Sequence, residues 1–154
     1  MPPDPFTKAE VDYLVAASKF IKEIPRPQFM TPGMRTGSKI QVQVFRKSDL
    51  KPIKGLVVMA KAHQAPAGLP PPTPSSVLEW YGRRIRGINY ELWHDNPDGS
   101  SVRGWHEHIW SPKEHDAHVV KARPEPAKRD LLGILNWGLE KWNIEVLREQ
   151  MELL

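Results

Sequence analysis

The chain has 154 residues, a net charge of +4 and a pI near 9.4. That length fits a single domain over 1–154, able to bury roughly two thirds of its unfolded surface. It has no cysteine, which excludes disulfides, thiolate metal sites and a cysteine nucleophile and suits a reducing compartment.

No apolar run approaches the ~20 residues of a membrane span. The opening "MPPDPFTKAE" lacks the apolar centre of a signal peptide. The expectation is a cytoplasmic protein without a membrane partner. The mild positive excess is compatible with nucleic acid and is common on proteins that bind none. Sixteen prolines, about twice the usual share, predict a loop-rich molecule.

The first predicted element is a helix. "TKAE" reads as a capping box between Thr7 and Glu10. Val11, Leu14, Val15, Ser18 and Ile21 follow at helical spacing, and Pro25 and Pro27 stop it. Residues 25–38 read as a loop. "KIQVQVFR" (39–46) alternates, with Ile40, Val42 and Val44 on one face. "GLVVMAKAH" (55–63) is apolar on both faces, as a central strand would be. The short link between them predicts an antiparallel pair.

"QAPAGLPPPTPSS" (64–76) loses five backbone donors to proline and reads as a proline-rich loop or insert, with a docking ligand as the alternative. A strand is expected from about Arg84. "AKRDLLGILNWGLEKW" (127–142) carries Leu131, Leu135, Leu139 and Trp142 at helical spacing, and "IEVLREQMELL" suggests a short last helix. The fold class is α+β: an antiparallel sheet with an N-terminal helix and C-terminal helices packed on it.

Between strand segments lies "WHDNPDGSSVRGWHEHIW". "NPDG" is a turn signal: proline suits the second position of a type I turn, and Gly99 supplies the positive φ that closes a three-residue hairpin loop. Asn96 then faces Ser100. Pairing outward sets His94 with Val102, Leu92 with Gly104, Tyr90 with His106 and Ile88 with His108. Alternation puts His94, His106, His108, Tyr90 and Trp110 on one face, with Arg86 beyond Ile88. A one-residue slip would exchange the faces. His106 and His108 stand roughly 7 Å apart along one strand, and His94 lies roughly 13 Å from His106 in a flat ladder. A second bulge would shorten that gap.

Five of the six histidines fall between His94 and His118. Three accounts of His106 and His108 compete. As metal ligands they would need further nitrogen or oxygen donors, which "EHDAH" offers in Glu114, His115, Asp116 and His118; such a site would use His106, His108, His115 and His118. As an acid–base pair they could cleave RNA through its 2′-hydroxyl, with Tyr90 orienting His106 and Arg86 on the phosphate. As structural residues they would fill a half-buried face, with Trp105, Trp110 and Tyr90 as core aromatics. Arg83, Arg84 and Arg86 form one basic cluster and Lys121, Arg123, Lys128 and Arg129 another. Solvated faces explain both, and phosphate binding is favoured if they flank the histidines.

The order of "FTKAEVDYL", "HDNPDG", "HEHIW" and "LNWGLEKWNI" resembles an uncharacterised bacterial domain family. Its pattern has a Leu-Thr-x-x-Glu-Ala-Asp helix, a His-x-Asn-Pro-Asp-Gly turn, a His-x-His-Ile-aromatic strand and a C-terminal aromatic helix. The resemblance runs from Phe6 to Ile144, with 64–76 as an insert, and departs at Phe6 and Val11. Its positions fall on His94, Asn96, Pro97, Asp98, Gly99, His106, His108 and Ile109. The family has no established activity; the resemblance implies prophage and toxin–antitoxin settings, hence a small ribonuclease-like toxin or an accessory protein.

The leading expectation is a metal-independent enzyme that cleaves RNA or another phosphodiester. His106 and His108 act as acid and base, Tyr90 supports them, and His94, Arg83, Arg84, Arg86 and Trp110 bind; no cofactor is expected. The alternative is a non-enzymatic binding or inhibitor protein, holding a protein or nucleic-acid partner through basic and tryptophan-rich surfaces. A metal-binding hydrolase or oxygenase comes third.

Overall fold

The structure, a computed structural model, describes residues 6–29, 37–63, 68, 73–115, 117–122 and 124–147. Most of the proline-rich 64–76 stretch, Asp116, Arg123 and residues 148–154 of the expected last helix lie outside the described residues. No helix among the described residues is long and apolar enough to cross a membrane.

The first helix, α1 (Lys8–Ala16), begins on the expected capping box. Thr7 Oγ1 accepts from the Glu10 amide at 3.1 Å, and Glu10 Oε1 accepts from the Thr7 amide at 3.3 Å. The helix stops sooner than its apolar spacing suggests. Residues 19–21 form a strand, β1 (Lys19–Ile21), instead of a last helical turn. Pairing decides this: β1 lies between two other strands, a tertiary gain that outweighs local helical spacing. Lys19, fully buried, folds back and donates from Nζ to the carbonyls of Leu14, Val15 and Ala17 at 2.9, 2.7 and 2.6 Å. These are carbonyls that a helix end leaves without intrahelical partners.

The remaining strands are β2 (Gln28–Phe29), β3 (Gly37–Arg46), β4 (Pro52–His63), β5 (Ser75–Trp80), β6 (Arg83–Asp95), β7 (Ser101–Ile109), β8 (Val119–Lys121) and β9 (Ile144–Val146), with helix α2 (Leu131–Lys141) before the last. They form one sheet in the order β8-β7-β6-β5-β4-β3-β1-β9, with β2 beside β3. All pairings are antiparallel except β1 with β9. The α+β class stands, with two helices described. Ile40 and Val44 are buried on β3, and β4 sits between β3 and β5 with both Met59 and Ala60 buried, as the alternation and the two-sided apolar run predict. Residues 144–146 are strand where a helix was expected. Ser75 and Ser76 belong to β5 rather than to the proline-rich loop. The β5–β6 hairpin was not anticipated: its two-residue link, Tyr81 and Gly82, has φ of +52° and +78°, the left-handed pair that a tight hairpin requires.

Both helices contribute to one apolar core. Phe6 stacks on Trp80 with ring centroids 4.5 Å apart. Val11, Ile134, Leu135, Leu139 and Trp142 pack with Leu56, Val58, Leu78, Ile85, Ile88 and Trp105. Each such aliphatic side chain contributes about 1.5–3 kcal/mol on burial. Helix α2 approaches β5 so closely that a Cβ on Gly138 would stand 2.6 Å from Ser76 Oγ, 3.0 Å from Trp142 and 3.2 Å from Ser76 Cβ. Alanine favours helix over glycine by ~1 kcal/mol, yet Gly138→Ala is expected to lower the unfolding free energy by about 1–3 kcal/mol through overpacking. Urea denaturation measures this, and a stabilised variant would contradict the packing.

Within the same core lies a buried polar group. Trp142 Nε1 donates to Glu107 Oε2 at 2.8 Å, and Arg86 Nε stands 3.9 Å from that oxygen. Arg86 also donates to Asp12 Oδ1 at 3.0 Å and to the Ile85 carbonyl at 2.8 Å. Asp12 is held below the usual carboxylate range first by its hydrogen bond from Lys8 and then by Arg86.

Candidate active site on the β6–β7 hairpin

The turn forms as its residues predict. The Gly99 amide donates to the Asn96 carbonyl at 3.0 Å, Gly99 has φ of +90°, and the Asn96 amide donates to the Ser100 carbonyl at 2.7 Å. Asn96 does more than turn the chain. Its buried side chain accepts from the Val119 amide at 2.7 Å and donates to the Val119 carbonyl at 2.9 Å, tying the start of β8 to the hairpin.

His94 pairs with Val102, as expected, but the ladder then slips. The next pair is Glu91 with Gly104, so β6 spends three steps where β7 spends two. This bulge corrects the expected register: Tyr90 pairs with Trp105, and Ile88 with Glu107. Residues Gly87, Asn89 and Glu91 therefore share a face with His108, His106 and Gly104, while Arg86, Ile88 and Tyr90 turn to the other. Leu92 and Trp93, at the bulge, are exposed.

A second slip lies between β5 and β6, where Leu78 pairs with Arg86 but Glu79 with Arg84. It returns Arg84 to the histidine face. The Arg84 chain crosses bare Gly87, where a Cβ would stand 2.8 Å from Arg84 Cδ.

The bulge also overturns the roughly 13 Å separation expected for His94 in a flat ladder. Its ring lies 5.3 Å from that of His106 and 5.6 Å from that of His108, and the last two are 5.2 Å apart, centroid to centroid. Three imidazoles form one cluster, not two with an outlier.

Their hydrogen bonds give them different states. Arg84 Nη2 donates to His108 Nδ1 at 3.4 Å, so His108 Nε2 carries the proton it donates to Asn89 Oδ1 at 3.0 Å. Asn89 Nδ2 then donates to Glu91 Oε1 at 3.3 Å. His108 is thus a link in a chain from Arg84 to Glu91. His106 is fully buried and donates from Nδ1 to the Gly104 carbonyl at 2.9 Å; its Nε2 is buried and has no hydrogen-bond partner among the described residues. Burial pushes the His106 imidazole below its usual range, against the pull of the Gly104 carbonyl. His94 Nε2 donates to the Ala117 carbonyl at 3.1 Å, and its Nδ1 faces Glu91 Oε2 at 3.3 Å.

No family model, curated protein or solved structure matches the chain. The cluster is therefore read from its own chemistry. Among the described residues, Glu91, His94 and His106 each present one ligand atom within 4.8 Å of the others. The set expected from sequence is not brought together. His115 is exposed, takes φ of +52° and stacks on Trp110 at 6.5 Å. His118 Nδ1 lies 3.7 Å from Glu114 instead.

The other expected site residues part ways. Tyr90 packs edge-on against Trp105 at 5.7 Å on the far face. Arg86 belongs to the Glu107 network. Arg83 places its guanidinium 5.1 Å from the Phe6 ring centroid. Trp110 is buried, with its edge toward Phe6 at 5.6 Å. Lys121, opposite His106 in the β7–β8 ladder, donates to the Arg103 carbonyl at 3.0 Å. One cation from each basic cluster, Arg84 and Lys121, thus lies on the histidine face. Sequence reading missed Glu91 and Asn89, and Gly104 was the available signal: an isolated glycine inside a strand marks a bulge or a close approach.

Proposed function

We propose that the histidine face of β6 and β7 is a phosphodiester-cleaving centre with RNA as its substrate class. The observation that carries this is the buried, donor-free Nε2 of His106 within a three-imidazole cluster, with Arg84 and Lys121 on the same face. A nitrogen lone pair can help activate a 2′-hydroxyl or water as the attacking oxygen, and the cations can draw the phosphate and stabilise charge developing on it. His106 and His94 are the reacting-centre residues in this reading, and His108 and Asn89 position them.

The test compares purified wild type with His106→Ala and His94→Ala on an RNA and on the same strand carrying a 2′-deoxy sugar at the scissile step. Loss of about 100-fold or more in each variant is expected, together with resistance of the deoxy strand if the 2′-hydroxyl attacks. His115→Ala keeps wild-type rates. Growth slowed by expressing wild type, and restored by His106→Ala, gives the cellular counterpart. Absent cleavage with equal growth overturns the reading. A partner captured equally by wild type and His106→Ala would move it to a binding protein, for which exposed Leu92 and Trp93, with Arg103 4.6 Å from the Trp93 ring centroid, offer the surface.

A further inference from the structure

We infer that Glu91, His94 and His106 form a binding site for one divalent transition-metal ion of the zinc class. As an account of how the attacking oxygen is activated, this rests on the cleavage reading; as a binding site it stands apart from it.

Three acceptors converge here with too few donors. The carbonyl of Gly104 fixes the proton of His106 on Nδ1 and aims the bare Nε2 lone pair inward. The carbonyl of Ala117 can only accept, so His94 holds a proton on Nε2, and Nδ1 is left facing the carboxylate of Glu91. Unless a second proton sits on His94, two lone pairs oppose each other across 3.3 Å. A cation between them resolves the conflict and takes up the orphaned His106 nitrogen as well.

The supports match what a metal-ligating histidine needs. Each ring donates its other N–H to a backbone carbonyl, which fixes tautomer and orientation. The carboxylate is steadied from behind, since its second oxygen accepts from Asn89 in the chain that runs through His108 to Arg84. His108 itself is excluded as a ligand, because both its nitrogens are engaged. Bonds of ~2.0–2.2 Å bring ligand atoms closer than 4.8 Å. Glu91, whose side chain is 41% exposed, is the arm free to close that distance onto the buried His106.

Two nitrogens and one carboxylate leave at least one coordination position open. That is the composition of catalytic rather than structural zinc sites. The expected absence of a cofactor is replaced by this proposal. So is the metal set His106, His108, His115 and His118.

The test uses the full chain without a histidine tag, stripped with chelator. Zinc is titrated calorimetrically, and cobalt is followed by its visible absorption. One equivalent should bind with micromolar or tighter affinity, and His106→Ala, His94→Ala and Glu91→Gln should each weaken it about 100-fold or more. Asn89→Ala, which removes only a support, should weaken it about 10–100-fold. His115→Ala and His118→Ala should bind as wild type does, and circular dichroism confirms that each variant is folded. Failure to bind zinc below about 100 μM, or binding lost with His115 or His118 and kept without His106, overturns the site. Cleavage that persists in chelator, with no zinc bound, overturns the metal and leaves the cleavage reading. Stoichiometric zinc without cleavage does the reverse.

Discussion

Glu107→Ala is expected to lower the unfolding free energy by about 2–3 kcal/mol, from an unmet buried donor and a weakened buried charge network. Glu107 is 7% exposed and the Arg86 side chain 10%. Removing the carboxylate takes one of two carboxylate neighbours from the buried guanidinium, which keeps Asp12 at 3.0 Å, and orphans the indole N–H of Trp142. An unmet buried donor alone costs about 1–3 kcal/mol. Glu107→Gln keeps an acceptor for Trp142 and gives up only the charge, so it should fall between wild type and alanine. Trp142→Phe removes the donor instead; a cycle built from it and Glu107→Ala measures the coupling between the two side chains. Urea denaturation measures all five proteins, the double variant of the cycle included. A loss of no more than about 0.5 kcal/mol for Glu107→Ala, the scale of a surface substitution, would show that the network carries no stability.

The second large effect is pH-dependent. Burial lowers the Lys19 ammonium from 10.5 to about 8. Below pH 8 the residue is charged in both folded and unfolded chains, and the folded state bears the full desolvation cost. Between pH 8 and 10.5 the unfolded chain still holds the proton that the folded protein has released, so stability rises with pH through that window. At 1.36 kcal/mol per pKa unit the rise approaches roughly 3 kcal/mol. The carbonyls of Leu14, Val15 and Ala17 accept from the charged form and oppose the shift, which makes this a ceiling. Other lysines and tyrosines titrate in the same range, so the readout is the difference between wild type and Lys19→Met. That difference should shift in favour of wild type between pH 8 and 10.5, and parallel stability curves would rule out Lys19 as the source.

The parts of the fold that sequence reading recovered depend on short-range chemistry. A capping box, an Asn-Pro-Asp-Gly turn and a two-residue apolar alternation each act within a few residues, and Thr7, Gly99 and Ile40 behave accordingly. The three-residue strands β1 and β9 are too short to carry a period and exist through their pairing, β1 with β3 and β9, and β9 with β1. The candidate site was half legible. His106 and His108 were found from their spacing, and the turn placed His94 opposite Val102. Which residues join them depends on the bulge between Glu91 and His94, and a bulge is a property of two strands counted together. Tyr90 and Glu91 exchanged faces for that reason alone.

The parallel pairing of β1 with β9 bears on the order in which the molecule assembles. The hairpins β3–β4, β5–β6 and β6–β7 join neighbours along the chain and can close early, at small loop-closure cost. The last pair joins segments from opposite ends of the described chain and must come late. Until β9 docks, β1 is an unpaired edge of the kind that invites pairing with other chains. Its length of three residues limits the template it offers, and the charge on Lys19, still hydrated at that stage, discourages a wrong partner. The residue that burial makes costly in the finished sheet thus protects the unfinished one.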